Sequence, residues 1–289
     1  MIPWAALTAW RTKAPWILDT QVEQDLVIAR AVVELFQDAE LSRLVAFRGG
    51  TALHKLVLES PTRYSEDIDL VQVAAGPIGP VLDGIRRRLD SWMGRPQWKR
   101  GPGVATLYYR FSSEAQPVTA MRLKIEINTR EHFSVFGLVR RPFSVAGPWF
   151  TGAAEVATYE IDELLGTKLR ALYQRRKGRD LFDLWHAGRA GTADPARVVD
   201  CFARYMEHGG HAVSRAEFEA NLHDKVAEPV FAADLEPLLA TGVEWDLDAA
   251  ALYVQEDLLA KLPGEPWKRL EPQAVDSFAV GTKAKKKRR

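Results

Sequence analysis

Two carboxylates one residue apart, Asp67-Ile68-Asp69, lie a short way downstream of a glycine pair, Gly49-Gly50-Thr51. They sit in the runs Phe47-Arg48-Gly49-Gly50-Thr51-Ala52-Leu53 and Tyr64-Ser65-Glu66-Asp67-Ile68-Asp69-Leu70. In a strand, residues i and i+2 share a face. Asp67 and Asp69 then point one way while Ile68 and Leu70 turn into a core. Adjacent anions are costly without a cation between them. A hard divalent ion meets that need, and Mg²⁺ takes one or two carboxylates together with substrate phosphates. The glycines let backbone amides approach a ligand, and a helix start just after them favours anions. A phosphate cradle beside metal-binding carboxylates points to chemistry on a nucleoside triphosphate.

Several elements must position these groups. Apolar residues Val22, Leu26, Ala29, Val33 and Phe36 recur at helical spacing, predicting a helix from 19 or 20, capped by Asp19 or Thr20, to about 37. A short buried strand over 44–47 enters the glycine turn, and a helix over 51–59 leaves it. A second strand spans 66–73 and a helix spans 78–93, with Arg86-Arg87-Arg88 on its polar side. Residues 106–112 and 121–128 alternate as paired strands. In the latter, Leu123, Ile125 and Ile127 face inward, and Lys124, Glu126 and Asn128 face outward. From about 161 the pattern becomes helical: 162–176, a break at Lys177-Gly178, then 179–190, 195–207 and 215–223. The expected fold is α+β with two lobes. Residues 1–155 form a mixed sheet flanked by helices, 156–278 form a helical lobe, and 279–289 form a basic disordered tail.

Glu126 is the third carboxylate that a two-metal site needs on a neighbouring strand; the other reading is a pair with a lysine at a sheet surface. Glu66 points away from Asp67 and is set aside. Gly49, Gly50, Thr51 and Ser65 are expected to line the triphosphate through amides and hydroxyls. Arg48 serves either a phosphate or a structural salt bridge. Lys168 sits in the apolar stretch Leu164-Leu165-Gly166-Thr167-Lys168-Leu169 and needs an anionic partner if buried. A triphosphate would serve; the alternative is a place on the polar helix face. Asp180 and Asp183 share a helix face. They either build an Arg–carboxylate network, or hold Lys168 or orient the acceptor. Trp4, Trp10 and Trp16 read as a packing arm rather than a base-stacking platform.

The chain resembles polymerase-beta-type nucleotidyltransferases and, more narrowly, the AbiEii/AbiGii toxin family. The residues that carry this are Gln21 to Arg30, Arg48-Gly49-Gly50-Thr51-Ala52-Leu53, Tyr64 to Leu70, Lys124-Ile125-Glu126-Ile127, Lys168 to Leu172, and Arg176 to Trp185. The ordered set covers roughly 20–190; nothing beyond about 195 adds to it. The resemblance places Glu126 and Lys168 in the site. With the residue reading, it implies transfer of a nucleoside monophosphate from an NTP to a hydroxyl, releasing pyrophosphate. Asp67, Asp69 and Glu126 would hold two Mg²⁺ ions, with Mn²⁺ as an alternative. It also implies a toxin whose acceptor is the 3′ end of tRNA, so that translation is blocked, and a cognate antitoxin as partner. The rival readings are transfer to a small molecule such as an antibiotic or to a protein hydroxyl, and a non-catalytic NTP-binding regulatory partner.

Composition bounds these readings without choosing among them. The net charge of +1 gives no bulk nucleic-acid signal, yet Lys283 to Arg289 is strongly basic, either a solvated terminus or an arm for RNA phosphates. The single cysteine, Cys201, excludes an intrachain disulfide. The start lacks a secretion-signal pattern and no apolar run reaches membrane-span length, so a cytoplasmic protein is expected. With no His-x-x-x-His or Cys-x-x-Cys pattern, a structural zinc site is not expected.

Overall fold

A computed structural model describes residues 2–58 and 60–268. The expected basic tail, and Glu59 at the end of the helix expected over 51–59, lie outside the described residues. Short helix α1 (Trp4–Trp10) leads to the long α2 (Asp19–Gln37). Val22, Leu26, Ala29, Val33 and Phe36 are all buried along α2, as their spacing requires. Neither Asp19 nor Thr20 caps it; Leu18 is the cap residue, and its N–H donates to Gln21 Oε1 at 3.3 Å. The short α3 (Leu41–Leu44) feeds strand β1 (Val45–Arg48), and the glycines open α4 (Gly49–Ala52). α4 continues as one wider π-helical turn over Leu53–Val57. Strand β2 (Asp67–Gln72) and helix α5 (Gly79–Met93) follow.

The remaining strands are β3 (Gln97–Gly101), β4 (Val104–Ser112), β5 (Ala120–Asn128), β6 (Leu138–Ala146) and β7 (Thr151–Tyr159). Among the described residues, seven strands form one mixed sheet in the order β3-β4-β5-β2-β1-β7-β6. The β2–β5 and β1–β7 pairs are parallel and the rest antiparallel. Leu123, Ile125 and Ile127 are fully buried, as the alternation predicts. β3, β6 and β7 have no counterpart in the sequence reading. Four of the five β3 residues are exposed, so no apolar face marks it. β6 contains Pro142, which is tolerated because β6 is an edge strand.

Helices then dominate: α6 (Ile161–Gln174), α7 (Gly178–Arg189), α8 (Pro195–His208), α9 (Arg215–Val226), α10 (Pro229–Ala233) and α11 (Leu247–Tyr253). Residue 155, the expected lobe boundary, falls inside β7, and the first of these helices starts two residues after that strand ends. α2 packs across β5, β6 and β7 and against α5. The tryptophan arm splits: Trp10 and Trp16 are buried, whereas Trp4 is exposed. Asp25 of α2 fixes the arm by accepting from Trp10 Nε1 at 2.8 Å and from Lys55 Nζ at 2.9 Å.

Candidate active site

Strand register gathers the carboxylates. Asp69 of β2 lies opposite Glu126 of β5, and Asp67 lies opposite Lys124. On the other side, Arg48 of β1 lies opposite Asp69. Cross-strand neighbours share a face, so one row reads Arg48, Asp69, Glu126, while Ile68 and Leu70 are buried on the other face. Asp69 also explains the turn beside it. Gly49 has φ +79°, and a Cβ there would fall into the Asp69 carboxylate. A Cβ at Gly50 would come within 2.6 Å of Arg63 Nη2.

The three carboxylates differ in how they are compensated. Lys124 Nζ lies 3.0 Å from Glu126 Oε2 and 3.3 Å from Asp67 Oδ2. Burial works against the Lys124 charge, but Asp67 and Glu126 overcome it and hold the ammonium above the ordinary lysine range. The lysine pair foreseen for Glu126 is therefore present, on the same face as Asp69. Burial pushes Asp67 up despite the attraction of Lys124. Asp69 is pushed up by burial and then by the charge of Asp67. Its side chain takes part in no hydrogen bond or ion pair among the described residues.

The opposite wall of the same cleft is cationic. Lys168 of α6 is buried with its Nζ 3.2 Å from Asp180 Oδ1 and 3.0 Å from Asp183 Oδ2. Arg175 donates to both oxygens of Asp180 at 2.7 and 2.8 Å. Arg63 donates to Asp183 in the bidentate manner, at 2.7 Å from Nε and 2.6 Å from Nη2. His54 Nε2 lies 2.9 Å from Asp183 Oδ1. Burial, then the Arg63 charge, lower His54 to about 4. The ring is thus neutral at pH 7 and must carry its proton on Nε2 to donate to the carboxylate. Burial alone would raise Asp183, but Arg63 and Lys168 hold it well below the usual carboxylate range. Glu131 joins Arg48 at 2.8 Å and Arg170 at 2.7 Å. Against the cost of burial, Arg170 and Arg48 hold Glu131 down at about 2.

These walls enclose a cleft of about 360 Å³. Of the expected residues, Arg48, Gly49, Gly50, Ser65, Asp67, Asp69, Glu126 and Lys168 line it. Arg48 does so while also making the salt bridge. Thr51 is set back: its hydroxyl donates to the Asp67 carbonyl at 2.6 Å and lies 2.7 Å from Ser65 Oγ. Asp180 and Asp183 are fully buried behind the wall. They position Lys168, Arg175 and Arg63. Sequence reasoning missed Arg63, Lys124, Arg170, Arg175 and Arg179, which also line the cleft. The basic run Arg175-Arg176-Lys177-Gly178-Arg179 next to Asp180 was the available signal.

A divalent ion suits this donor set. Among the described residues no three acidic, imidazole or thiolate groups close on one point, because Asp67 and Glu126 converge on the Lys124 ammonium instead. The half-buried Asp69 carboxylate nevertheless makes no hydrogen bond or ion pair among the described residues, and hard oxygen donors are what Mg²⁺ takes.

The family model described as "Nucleotidyl transferase AbiEii toxin, Type IV TA system" matches residues 30–252. The chain belongs to this family. It is a nucleotidyltransferase; the family implies an NTP substrate, usually a divalent metal, and an antitoxin partner. The fold of this AbiEii-family chain is similar to that of MenT4, a nucleotidyltransferase toxin from Mycobacterium tuberculosis H37Rv. The two are 17% identical with a TM-score of 0.63, over 89% of this chain and 90% of that one. A putative nucleotidyltransferase from H. pylori is 18% identical with a TM-score of 0.47, over 83% of this chain and 94% of that one. No curated protein matches the sequence. No helix among the described residues is long and apolar enough to cross a membrane.

Proposed function

We propose that this AbiEii-family enzyme transfers a nucleoside monophosphate from an NTP to the 3′ end of tRNA, releasing pyrophosphate and blocking translation in the cytoplasm. The observation that carries the transfer is the facing of two walls across one cleft. Asp67, Asp69 and Glu126 stand on one side, and Arg63, Lys168 and Arg175 stand on the other. A triphosphate between them would present its anionic tail to the cations and its reacting phosphorus to the carboxylates. Asp67, Asp69 and Glu126 would hold Mg²⁺, two ions, or Mn²⁺ in its place. When bound, the metal neutralises charge on the phosphate oxygens and lowers the acidity barrier of the attacking hydroxyl.

The chain's own residues have separable tasks. Gly49 and Gly50 keep the approach to Asp69 free of side chains. Ser65 presents a hydroxyl to the triphosphate. Lys168, Arg63 and Arg175 orient the leaving pyrophosphate, and their fixed geometry comes from Asp180 and Asp183. Electrostatic groups that are held in place before reaction need no reorganisation during it. Glu126, half-exposed and opposite Asp69, is the base for the acceptor hydroxyl.

The test is incubation with each α-labelled NTP, with Mg²⁺ or Mn²⁺, with and without total tRNA. Label in tRNA together with pyrophosphate release is expected. Release of pyrophosphate with label in protein or in a small molecule would retain the enzyme and overturn the acceptor. Co-purification with the product of the adjacent reading frame tests the antitoxin partner.

A further inference from the structure

Among the described residues, some cations are paired within the fold and others are not. Arg87 pairs with Asp38 and Glu40, Arg86 with Asp90, and Arg88 donates to the Glu34 carbonyl. The conspicuous triple arginine is thus spent inside the fold. Lys99, Arg110 and Arg122 make no ion pair among the described residues, although Arg110 donates to Gln97 Oε1 at 3.1 Å. Register puts all three on the face that carries the carboxylates. Arg110 lies opposite Arg122, Tyr108 opposite Lys124, and Thr106 opposite Glu126. Lys99 lies opposite Thr106. Lys124 and Glu126 in turn lie opposite Asp67 and Asp69.

Tyr108 is the centre of this patch. Lys99 Nζ is 5.9 Å and Arg122 Cζ 5.6 Å from its ring centroid. A groove of about 650 Å³ is lined by Asp67, Lys124, Tyr64, Tyr108 and Arg122 among others; Arg110 and Lys99 lie outside its lining, on the same sheet face by register. From β2 to β4 is two strand spacings, about 10 Å. An aromatic ring flanked by unpaired cations is what a single-stranded nucleic acid needs: a platform for a base and charge for the backbone. The groove shares Asp67 and Lys124 with the cleft that holds Asp69 and Glu126, so a strand end lying in it reaches the edge of the carboxylate row.

We propose that this groove seats the single-stranded end of the acceptor RNA, with a base stacked on Tyr108 and phosphates met by Arg122, Arg110 and Lys99. The proposal rests on the RNA-acceptor reading above and adds the surface. Stacking and backbone contact tolerate many sequences, so choice of one RNA over another must arise from shape elsewhere on the acceptor.

The experiment uses the full chain and a short single-stranded RNA carrying 2-aminopurine near its 3′ end. Affinity, and quenching of the probe on stacking, are measured for wild type, Tyr108→Leu, Tyr108→Phe, Arg122→Gln and Arg140→Gln. Arg140 lies on β6, the opposite edge of the sheet, and controls for loss of one charge. Tyr108→Leu should weaken binding about 5- to 150-fold and abolish the quench. Tyr108→Phe should keep both. Arg122→Gln should lower the salt slope of binding by about 0.7, and Arg140→Gln should leave it unchanged. NTP binding checks that each variant is folded. Normal quenching in Tyr108→Leu, or equal slopes for Arg122→Gln and Arg140→Gln, would overturn the groove while leaving an RNA acceptor standing. A wild-type chain that binds no RNA at all would overturn the acceptor reading itself.

Discussion

Asp183→Asn should unfold this protein more easily than any single change at the catalytic carboxylates. The Asp183 carboxylate is fully buried and faces Arg63 at 2.6 and 2.7 Å, Lys168 at 3.0 Å and His54 at 2.9 Å. An asparagine keeps one acceptor oxygen and turns an NH₂ toward donors. Lys168 retains Asp180 at 3.2 Å. Arg63 keeps its bond to the Tyr64 carbonyl at 3.0 Å and at most one bond to the asparagine oxygen, leaving a buried guanidinium without a hydrogen-bonded anion. Removing one partner of a buried pair costs about 3–5 kcal/mol, and the surviving Lys168–Asp180 contact argues for the lower end, about 3 kcal/mol. At about 2.1 cal/mol/K of unfolding entropy per residue, a chain of 289 residues shifts by roughly 1.6 °C per kcal/mol, so the melting temperature should fall by about 5 °C. Urea unfolding at pH 7 provides the free energy, with an unchanged m value as the check that the denatured state is comparable. A loss below about 1 kcal/mol would mean that the network is solvated, and the positioning role of Asp183 would fall with it.

The same substitution at Asp69 should have the opposite sign for stability. Burial and Asp67 raise the Asp69 carboxyl, so the metal-free fold loses stability as pH rises from about 3.9 through the raised value. Asp69→Asn should abolish transfer yet keep or raise the metal-free melting temperature; a clear drop would contradict the account of repulsion. Gly49→Ala puts a methyl into the Asp69 carboxylate at φ +79°, costing about 1–2 kcal/mol from backbone conformation alone, and transfer should fall at least tenfold. A wild-type rate would show that the turn is not shaped by Asp69. His54 is lowered to about 4, chiefly by burial, so its contribution is present above the unfolded value of about 6.5 and is lost as pH falls from there to about 4. His54→Gln should flatten that limb of the urea midpoint profile, and an unaltered limb would assign it to another group.

What could be read from the chain, and what could not, follows the reach of each interaction. Parity within a strand put Asp67, Asp69 and Glu126 on a polar face, because Ile68, Leu70, Ile125 and Ile127 need burial. The glycine pair was visible for a related reason: no other residue type tolerates the Gly49 conformation beside a carboxylate. The counter-ions obey no such local rule. Arg63 meets Asp183 across 120 positions, and Arg48 meets Glu131 across 83. Lys168 illustrates the boundary. Its apolar surroundings demanded an anion, and one of Asp180 and Asp183 was a reading for it; the packing of α6 on α7 brings both within 3.2 Å. Thr51 was expected to line the triphosphate and yet turns its hydroxyl to the backbone of β2, a choice set by the approach of β2 to α4.

Charge shows the limit most clearly. Arg86-Arg87-Arg88 is one obvious basic run among the described residues, and the fold uses it up against α2, the turn preceding α3, and α5 itself. A helix brings consecutive residues to different faces, so a run of like charge along it cannot form one patch without neighbours. Lys99, Arg110 and Arg122 are far apart in sequence and inconspicuous there. Antiparallel pairing of β3, β4 and β5 carries them to one face, and β3 itself left no apolar signal. A binding surface made of cross-strand neighbours therefore stays hidden until strand order is known, whereas metal-binding carboxylates two residues apart on one strand do not.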